Sequence, residues 1–483
     1  MVHSNFKWNA IFYGVAIFVD RLIGFFLLPI LTKILKPEYY GAWSQTGVVA
    51  GLLVVIVLYA FPTVIVKRYA EKSKENIRLI ALKKIGGFCL CVGFLVCFLV
   101  FGNAEYFSLM FYGDIKYISL ISSLILLMFS ESIIEFSISW LRVLSRVDIV
   151  SIIVIFRSIS RFLLAFLLAF YSRMDFYEWM LIYSSGIFIV GIFVILICIR
   201  VMSAVPQRKK ENNYYLNIKN DIFEATPLVF LSILTILAST LDRFFLASFL
   251  DLDIVARYTV VASLASIPLM VHNILGFAVF PEMARFWSDI NNKSKSIDLM
   301  SKSIIIYLFF ALPIVLGMTF FGSEVILFLT TSDYKVPSAI FLIFSISVLS
   351  IGMQQIMIYA LLLSGKSVLI LLFAIFSFSI NFLLLYVFVP WLGIVGAALA
   401  AAISNLVLAL TTIIYLYNCI FWKFPLKAAA KLFFKILIYL LPSLFFKYYF
   451  SWVVGFFIFT ISYSVYLYFD IKSKNSILRN ISN

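Results

Sequence analysis

Eight charged residues stand where charge is expensive. Asp20 and Arg21 interrupt IFVDRLIGFF, Glu131 and Glu135 fall in LLMFSESIIEFS, Arg157 and Arg161 in IVIFRSISRFL, and Asp242 and Arg243 in TLDRFFLASF. A charge at mid-bilayer costs about 2.5 to 3.5 kcal/mol on insertion scales, so such groups pair, line a water-filled path or handle a ligand. Two non-covalent chemistries suit these residue types. A guanidinium fork binds phosphate oxygens bidentately, and a carboxylate withdrawn from water can take up a coupling proton or sodium ion. The candidate anion-binding residues are therefore Arg21, Arg157, Arg161 and Arg243, and the candidate ion-coupling or structural partners are Asp20, Glu131, Glu135 and Asp242.

Spacing sorts them further. Glu131 and Glu135 are four apart, as are Arg157 and Arg161, so each pair lies on one helix face. In an antiparallel hairpin, 131 with 161 and 135 with 157 both centre on position 146, inside the basic turn RVLSRVD. This register predicts Glu131 opposite Arg161 and Glu135 opposite Arg157. Two readings stand side by side: ion pairs that hold a packed interface, or a cationic cavity wall for an anion. Adjacent helical residues point about 100° apart, so Asp20 and Arg21 cannot both face one neighbour. One can face a cavity while the other contacts a helix beside it, and Asp242 and Arg243 repeat the choice.

The elements that position these residues are membrane spans. The chain is 64% hydrophobic and 13% charged, far from the roughly 25% charge of a soluble domain. No Asp, Glu, Lys or Arg occurs between Ser367 and Trp422. Apolar runs long enough to cross the hydrocarbon core place helices near 8–31, 40–63, 85–102, 118–140, 149–171, 178–199 and 222–249. A second set lies near 256–280, 303–322, 337–363, 367–389, 392–417, 432–450 and 452–470. The expected fold is an all-α polytopic membrane protein of about fourteen transmembrane helices. No removable signal peptide is evident in MVHSNFKWNAIFYG. The five cysteines lack disulfide or zinc spacing and read as small apolar residues.

Orientation follows from the concentration of Lys and Arg in cytoplasmic loops. With the N-terminus inside, 27 of the 38 basic residues fall on the cytoplasmic side, 7 outside and 4 within spans. Both termini are thus expected in the cytoplasm. The net charge of +15 is explained by these loops, so nucleic acid is not an expected partner. The longest polar segment, RVMSAVPQRKKENNYYLNIKND, divides the chain near its middle.

The halves repeat. Phe61-Pro62 followed by a basic linker matches Phe280-Pro281 at an offset of 219, and Asp20-Arg21 matches Asp242-Arg243 at 222. Six helices separate equivalent points, so the copies share one orientation, as in transporters that bind cargo between parallel repeats. The expected divisions are an N-terminal lobe at 1–200, a cytoplasmic linker at 201–221, a C-terminal lobe at 222–420, and two further helices with a tail at 421–483.

Three segments resemble one family in order along the chain: LLPILTKILKPEYYGAWS, LDRFFLASFLDLDIVARYTVVASLA and PWLGIVGAALAAAIS. They are similar to the Wzx-type lipid-linked oligosaccharide flippases, in the polysaccharide transporter branch of the MOP superfamily. ARYT at 256–259 departs from the pattern, which usually has glycine before the tyrosine. The resemblance implies two six-helix lobes, a central cavity and alternating access. The implied cargo is an undecaprenyl diphosphate-linked sugar unit carried outward for O-antigen or capsule synthesis, with other polysaccharide assembly proteins as further partners.

Two alternatives remain open. A MATE-like drug or cation antiporter shares the fold but favours an acidic or aromatic cavity. A membrane polysaccharide polymerase or ligase handles similar lipids but needs a substantial outer loop bearing catalytic groups. The outer loops here are short, and no Walker motif is present. The expectation is therefore a transporter without catalytic residues, metal or cofactor, apart from the coupling ion. His272 reads as a packing residue, and Pro227, Pro268, Pro313 and Pro390 as possible bends.

Overall fold

A computed structural model describes residues 2–69, 78–170, 174–204, 218–288, 292–420 and 422–472. Most of the predicted 201–221 linker and the C-terminal tail lie outside the described residues. The helices are α1 Val2–Ile34, α2 Pro37–Leu58, α3 Phe61–Tyr69, α4 Arg78–Gly102, α5 Ala104–Tyr112, α6 Leu120–Val143, α7 Val147–Phe170 and α8 Phe176–Ser203. They continue as α9 Ile218–Phe249, α10 Leu252–Ala265, α11 Leu269–Ser288, α12 Lys293–Leu329, α13 Ala339–Leu363, α14 Ser367–Ile420, α15 Leu426–Tyr449 and α16 Trp452–Lys472.

The fourteen expected spans all have counterparts in this multi-pass membrane protein. Among the described residues eleven helices are long and apolar enough to cross a membrane, and the bent pair α10–α11 passes the same test when taken together. α14 contains a non-helical break at Gly393 (φ 57°, ψ −130°) and so covers the two spans expected at 367–389 and 392–417, and α16, a shorter apolar helix, stands where the last was expected. The predicted 256–280 helix is not continuous: it bends by 47° between Ala265 and Leu269. Pro268 lies in that break and cannot donate a backbone hydrogen bond. The predicted 40–63 helix likewise ends early, because Tyr59 and Ala60 take positive φ (49° and 53°) and α3 begins at Phe61.

By its contacts the chain divides into Met1–Ala256 and Arg257–Asn483. This is a grouping by packing; the boundary expected at 201–221 is one of internal repetition. In the first unit α6 packs mainly on α8, and α1 on α7. The α6–α8 seam is built from small residues seven apart. Ser123, Ser130 and Ser137 on α6 match Ser184, Gly191 and Cys198 on α8 at a constant offset of 61, and all six are buried. Apolar lipid gives helices no hydrophobic reason to associate, so close backbone approach and hydrogen bonds do the work. Ser130 Oγ donates to Ile187 O at 2.7 Å. In the second unit α12 packs on α11 and α13, α13 on α14, and α15 on α16. His272 is buried there, with Nε2 3.1 Å from the Tyr359 hydroxyl.

Candidate functional site

The charged residues of α6 and α7 form one network. Arg161 donates to Glu131, and Arg157 Nη1 lies 3.0 Å from Glu135 and 3.6 Å from Glu131. Both expected pairs are present, and Glu131 is shared between the two arginines. Arg157 and Glu131 are largely withdrawn from solvent, with side chains 13% and 17% exposed, whereas Glu135 is 41% exposed. The hairpin is looser than its spacing suggested. Since α6 lies chiefly against α8 and α7 against α1, the long Glu and Arg side chains span a gap between α6 and α7.

Asp20 joins the network from α1. Ser158, between the two arginines on α7, donates to its carboxylate, and Asp20 lies within electrostatic reach of Arg161. The α7 stripe Ser151, Ser158 and Ala165, again seven apart and buried, lets α1 come this close. Two guanidinium groups therefore meet three carboxylates. Arg157 and Arg161 are neutralised by neighbours of their own unit.

Tyr183 of α8 stands beside the same cluster, within reach of the charges on Arg161 and Glu131. It stacks on Trp179 (centroids 5.5 Å, 3° between planes) and meets Trp43 of α2 edge-on at 6.5 Å. Phe176 continues the ladder against Tyr39 at 4.5 Å. Charge-based reasoning missed these rings. Their signal was the aromatic spacing 176, 179, 183, which marks one helix face.

The remaining candidates separate. Arg21 is exposed, so the adjacent Asp20 and Arg21 do point apart. Asp242 Oδ1 accepts from the Arg243 backbone N–H at 2.9 Å, and half-buried Arg243 acts electrostatically on Tyr40 of α2. Among the described residues, no hydrogen bond or ion pair joins Arg21 or Arg243 to the α6–α7 network.

A second polar cluster ties α3 to the start of α9. Asp221 is 1% exposed, pairs with Arg68 and accepts from the Tyr69 hydroxyl at 2.7 Å. Lys67 pairs with Glu224, and Tyr59 meets Thr226 at 3.1 Å. Burial, reinforced by Asp221, pushes the Tyr69 phenol well above its ordinary range, so it remains a donor. At the opposite end of α9 and the start of α10, two glycines admit close backbone contact. A Cβ on Gly41 would lie 1.9 Å from Leu252 O, and one on Gly113 would lie 1.9 Å from Ala247 O. Thus α9 is fastened to α3 at one end and to α5 at the other, and α10 is held against α2 just beyond.

A model of the polysaccharide biosynthesis protein family matches residues 6–287, more than half of the chain. The chain belongs to that family. The match spans every member of both polar clusters. No curated protein matches the sequence significantly. Among solved structures, the fold of this family member is similar to the lipid II flippase MurJ in an inward closed conformation. The TM-score is 0.73 at 16% identity, over 96% of this chain and 100% of the other. It is also similar to an inward-facing multidrug resistance MATE family transporter of the MOP superfamily (TM-score 0.61, 14% identity, 83% and 97% covered). The Vibrio cholerae MATE transporter VcmN in its bent form gives 0.54 at 15% identity, over 88% and 95%. At these identities the likeness concerns the fold alone.

Proposed function

We propose that this protein is a flippase that carries a lipid-linked oligosaccharide from the cytoplasmic to the outer leaflet of the bacterial inner membrane. The membership shown by residues 6–287 in a polysaccharide biosynthesis family carries the reading, and the MOP transporter fold is compatible with it. The cargo is an undecaprenyl diphosphate-linked unit destined for O-antigen or capsule. Both termini are cytoplasmic, and other assembly proteins supply and consume the lipid-linked unit. The repeats at 1–200 and 222–420 rock as lobes by alternating access, and the helices beyond 421 are additional.

The ionic network supplies the anion-handling chemistry in this reading. With Glu131 and Glu135 ionised, Arg157 and Arg161 are occupied. Protonation of either glutamate, or a sodium ion held there, weakens its hold on a guanidinium fork, which then accepts diphosphate oxygens. Arg21 and Arg243 provide further positive charge along the path. Since α9 begins the second repeat, its fastening to α3 through Asp221 and Glu224 must release for the cytoplasmic side to open.

Deletion is expected to remove surface polysaccharide while lipid-linked units accumulate on the cytoplasmic side. At matched protein level, Arg161→Gln should abolish rescue and Arg161→Lys should retain part of it, since lysine keeps the charge without the fork. Undiminished export with glutamine placed singly at Arg21, Arg157, Arg161 and Arg243 would make these arginines structural. The carboxylate excess and the Trp43–Tyr183 rings favour a second reading, a MATE-like cation antiporter. On that reading the deletion leaves polysaccharide intact, and Glu131→Gln lowers resistance to cationic compounds.

A further inference from the structure

A cavity of about 380 Å³ lies on the flank of the first unit, walled by α2, α4, α6 and α8 and separate from both polar clusters. Its origin is legible in α4. Gly86 and Gly87 leave a gap where side chains would stand, and Phe136 and Phe129 of α6 form the opposite wall. The helices run antiparallel with fixed register: a Cβ on Gly86 would lie 3.4 Å from the Phe136 ring, and one on Gly93 2.8 Å from the Phe129 ring. One Cβ would meet nothing within 4 Å, the one on Gly87, which therefore borders open space.

The lining is apolar apart from Lys83 at one end and Ser132, whose buried hydroxyl has no hydrogen-bond partner. None of the lining residues is acidic. Lys83 is exposed, and among the described residues no carboxylate pairs with it. From Lys83 to Leu90 the groove follows seven residues of α4, about 10 Å at 1.5 Å per residue. It thus runs from the interface into the hydrocarbon core, from the leaflet to which the lysine distribution assigns the cytoplasm. Leu90 and Ile199 on its rim are 49% and 42% exposed, so it opens sideways to lipid.

An apolar slot of this depth, with a cation at the interfacial mouth that no carboxylate among the described residues pairs, fits an amphiphile with a hydrocarbon tail and an anionic head. We propose that the groove is a binding site for a single anionic glycerophospholipid of the cytoplasmic leaflet, one acyl chain lying along Gly86–Gly87 and the phosphate held by Lys83. Basic side chains at that surface attract anionic lipid, and a buried chain adds apolar contact along its length. The site is independent of the transported cargo and of the α6–α7 network.

The test is native mass spectrometry of the full-length protein released from nanodiscs of equal phosphatidylglycerol and phosphatidylcholine. Wild type should retain one phosphatidylglycerol at activation energies that strip annular lipid. Gly87→Leu places a side chain in the groove at a position where a Cβ meets nothing within 4 Å, and should lower the retained fraction at least fivefold with no loss of thermal stability in lipid-free detergent. Lys83→Gln should bring the retained ratio of phosphatidylglycerol to phosphatidylcholine to about one. Equal retention by wild type and Gly87→Leu overturns the site. An unchanged lipid preference in Lys83→Gln overturns the assignment of the headgroup.

Discussion

Reversing the charges of the α6–α7 network distinguishes a shared cluster from two separate ion pairs. Because Arg157 lies 3.0 Å from Glu135 and 3.6 Å from Glu131, exchanging one pair leaves a like-charge contact behind. Glu131→Arg with Arg161→Glu places a new arginine beside Arg157, and Glu135→Arg with Arg157→Glu places a new glutamate beside Glu131. At 3.6 Å and an effective dielectric constant of about 20, such a contact repels by about 5 kcal/mol before side chains move. Interhelical polar couplings measured in membranes, about 0.6 to 1.7 kcal/mol, set the part expected to survive relaxation. Each kcal/mol corresponds to roughly 1–3 °C in Tm for a chain of this size. Single reversals should be least stable and either pair exchange intermediate. The fourfold reversal of Glu131, Glu135, Arg157 and Arg161 should be the most stable of the series. It should still fall short of wild type, because Asp20 would then face a glutamate at 161, and adding Asp20→Asn should narrow that gap. Thermal unfolding of detergent-purified protein, followed by fluorescence-detected size exclusion, gives the order. A pair exchange as stable as wild type would show that the shared Arg157–Glu131 contact contributes nothing. A fourfold reversal no better than Arg161→Glu would refute the network altogether.

Other parts of the first unit make their own demands. Gly113→Ala combines a Cβ overlap with a φ of +80° and should destabilise by about 3 kcal/mol or more, read as lost folded yield. Gly41→Ala should behave similarly, whereas Gly47→Ala, whose Cβ would meet nothing within 4 Å, should be neutral or stabilising by up to about 1 kcal/mol. Ala60 sits at φ 53°, so Ala60→Gly should raise stability by about 1 kcal/mol; a lower Tm would show that the α2–α3 break is not strained. Asp221→Asn leaves Arg68, 31% exposed, able to turn to water. Its cost should therefore be about 2 kcal/mol, less than the 3–5 kcal/mol of a fully buried broken pair. Tyr69→Phe should cost about 1 kcal/mol. Equal Tm values for Asp221→Asn and wild type would remove the α3–α9 fastening from the account.

The amino-acid sequence settles what depends on local period and on distance across one turn. Hydrocarbon thickness and helical rise fixed the spans. The equal sums 131 + 161 and 135 + 157 fixed which glutamate meets which arginine, since only the short turn around Ser145 intervenes. It did not determine that Glu131 is shared, that Asp20 turns to Ser158, or that α6 and α7 each pack chiefly elsewhere. Apolar helices in lipid are ordered by shape, through seams such as Ser123, Ser130 and Ser137 against Ser184, Gly191 and Cys198. Such seams become evident only when helices distant in the chain lie side by side. On the sequence, interface ion pairs and a cavity wall for an anion stood side by side for these arginines, because the hairpin register reaches only the glutamates of α6. Only the tertiary structure, by bringing three carboxylates from α1 and α6 around two guanidinium groups on α7, decided that their charge is already balanced and that an anion must compete for it.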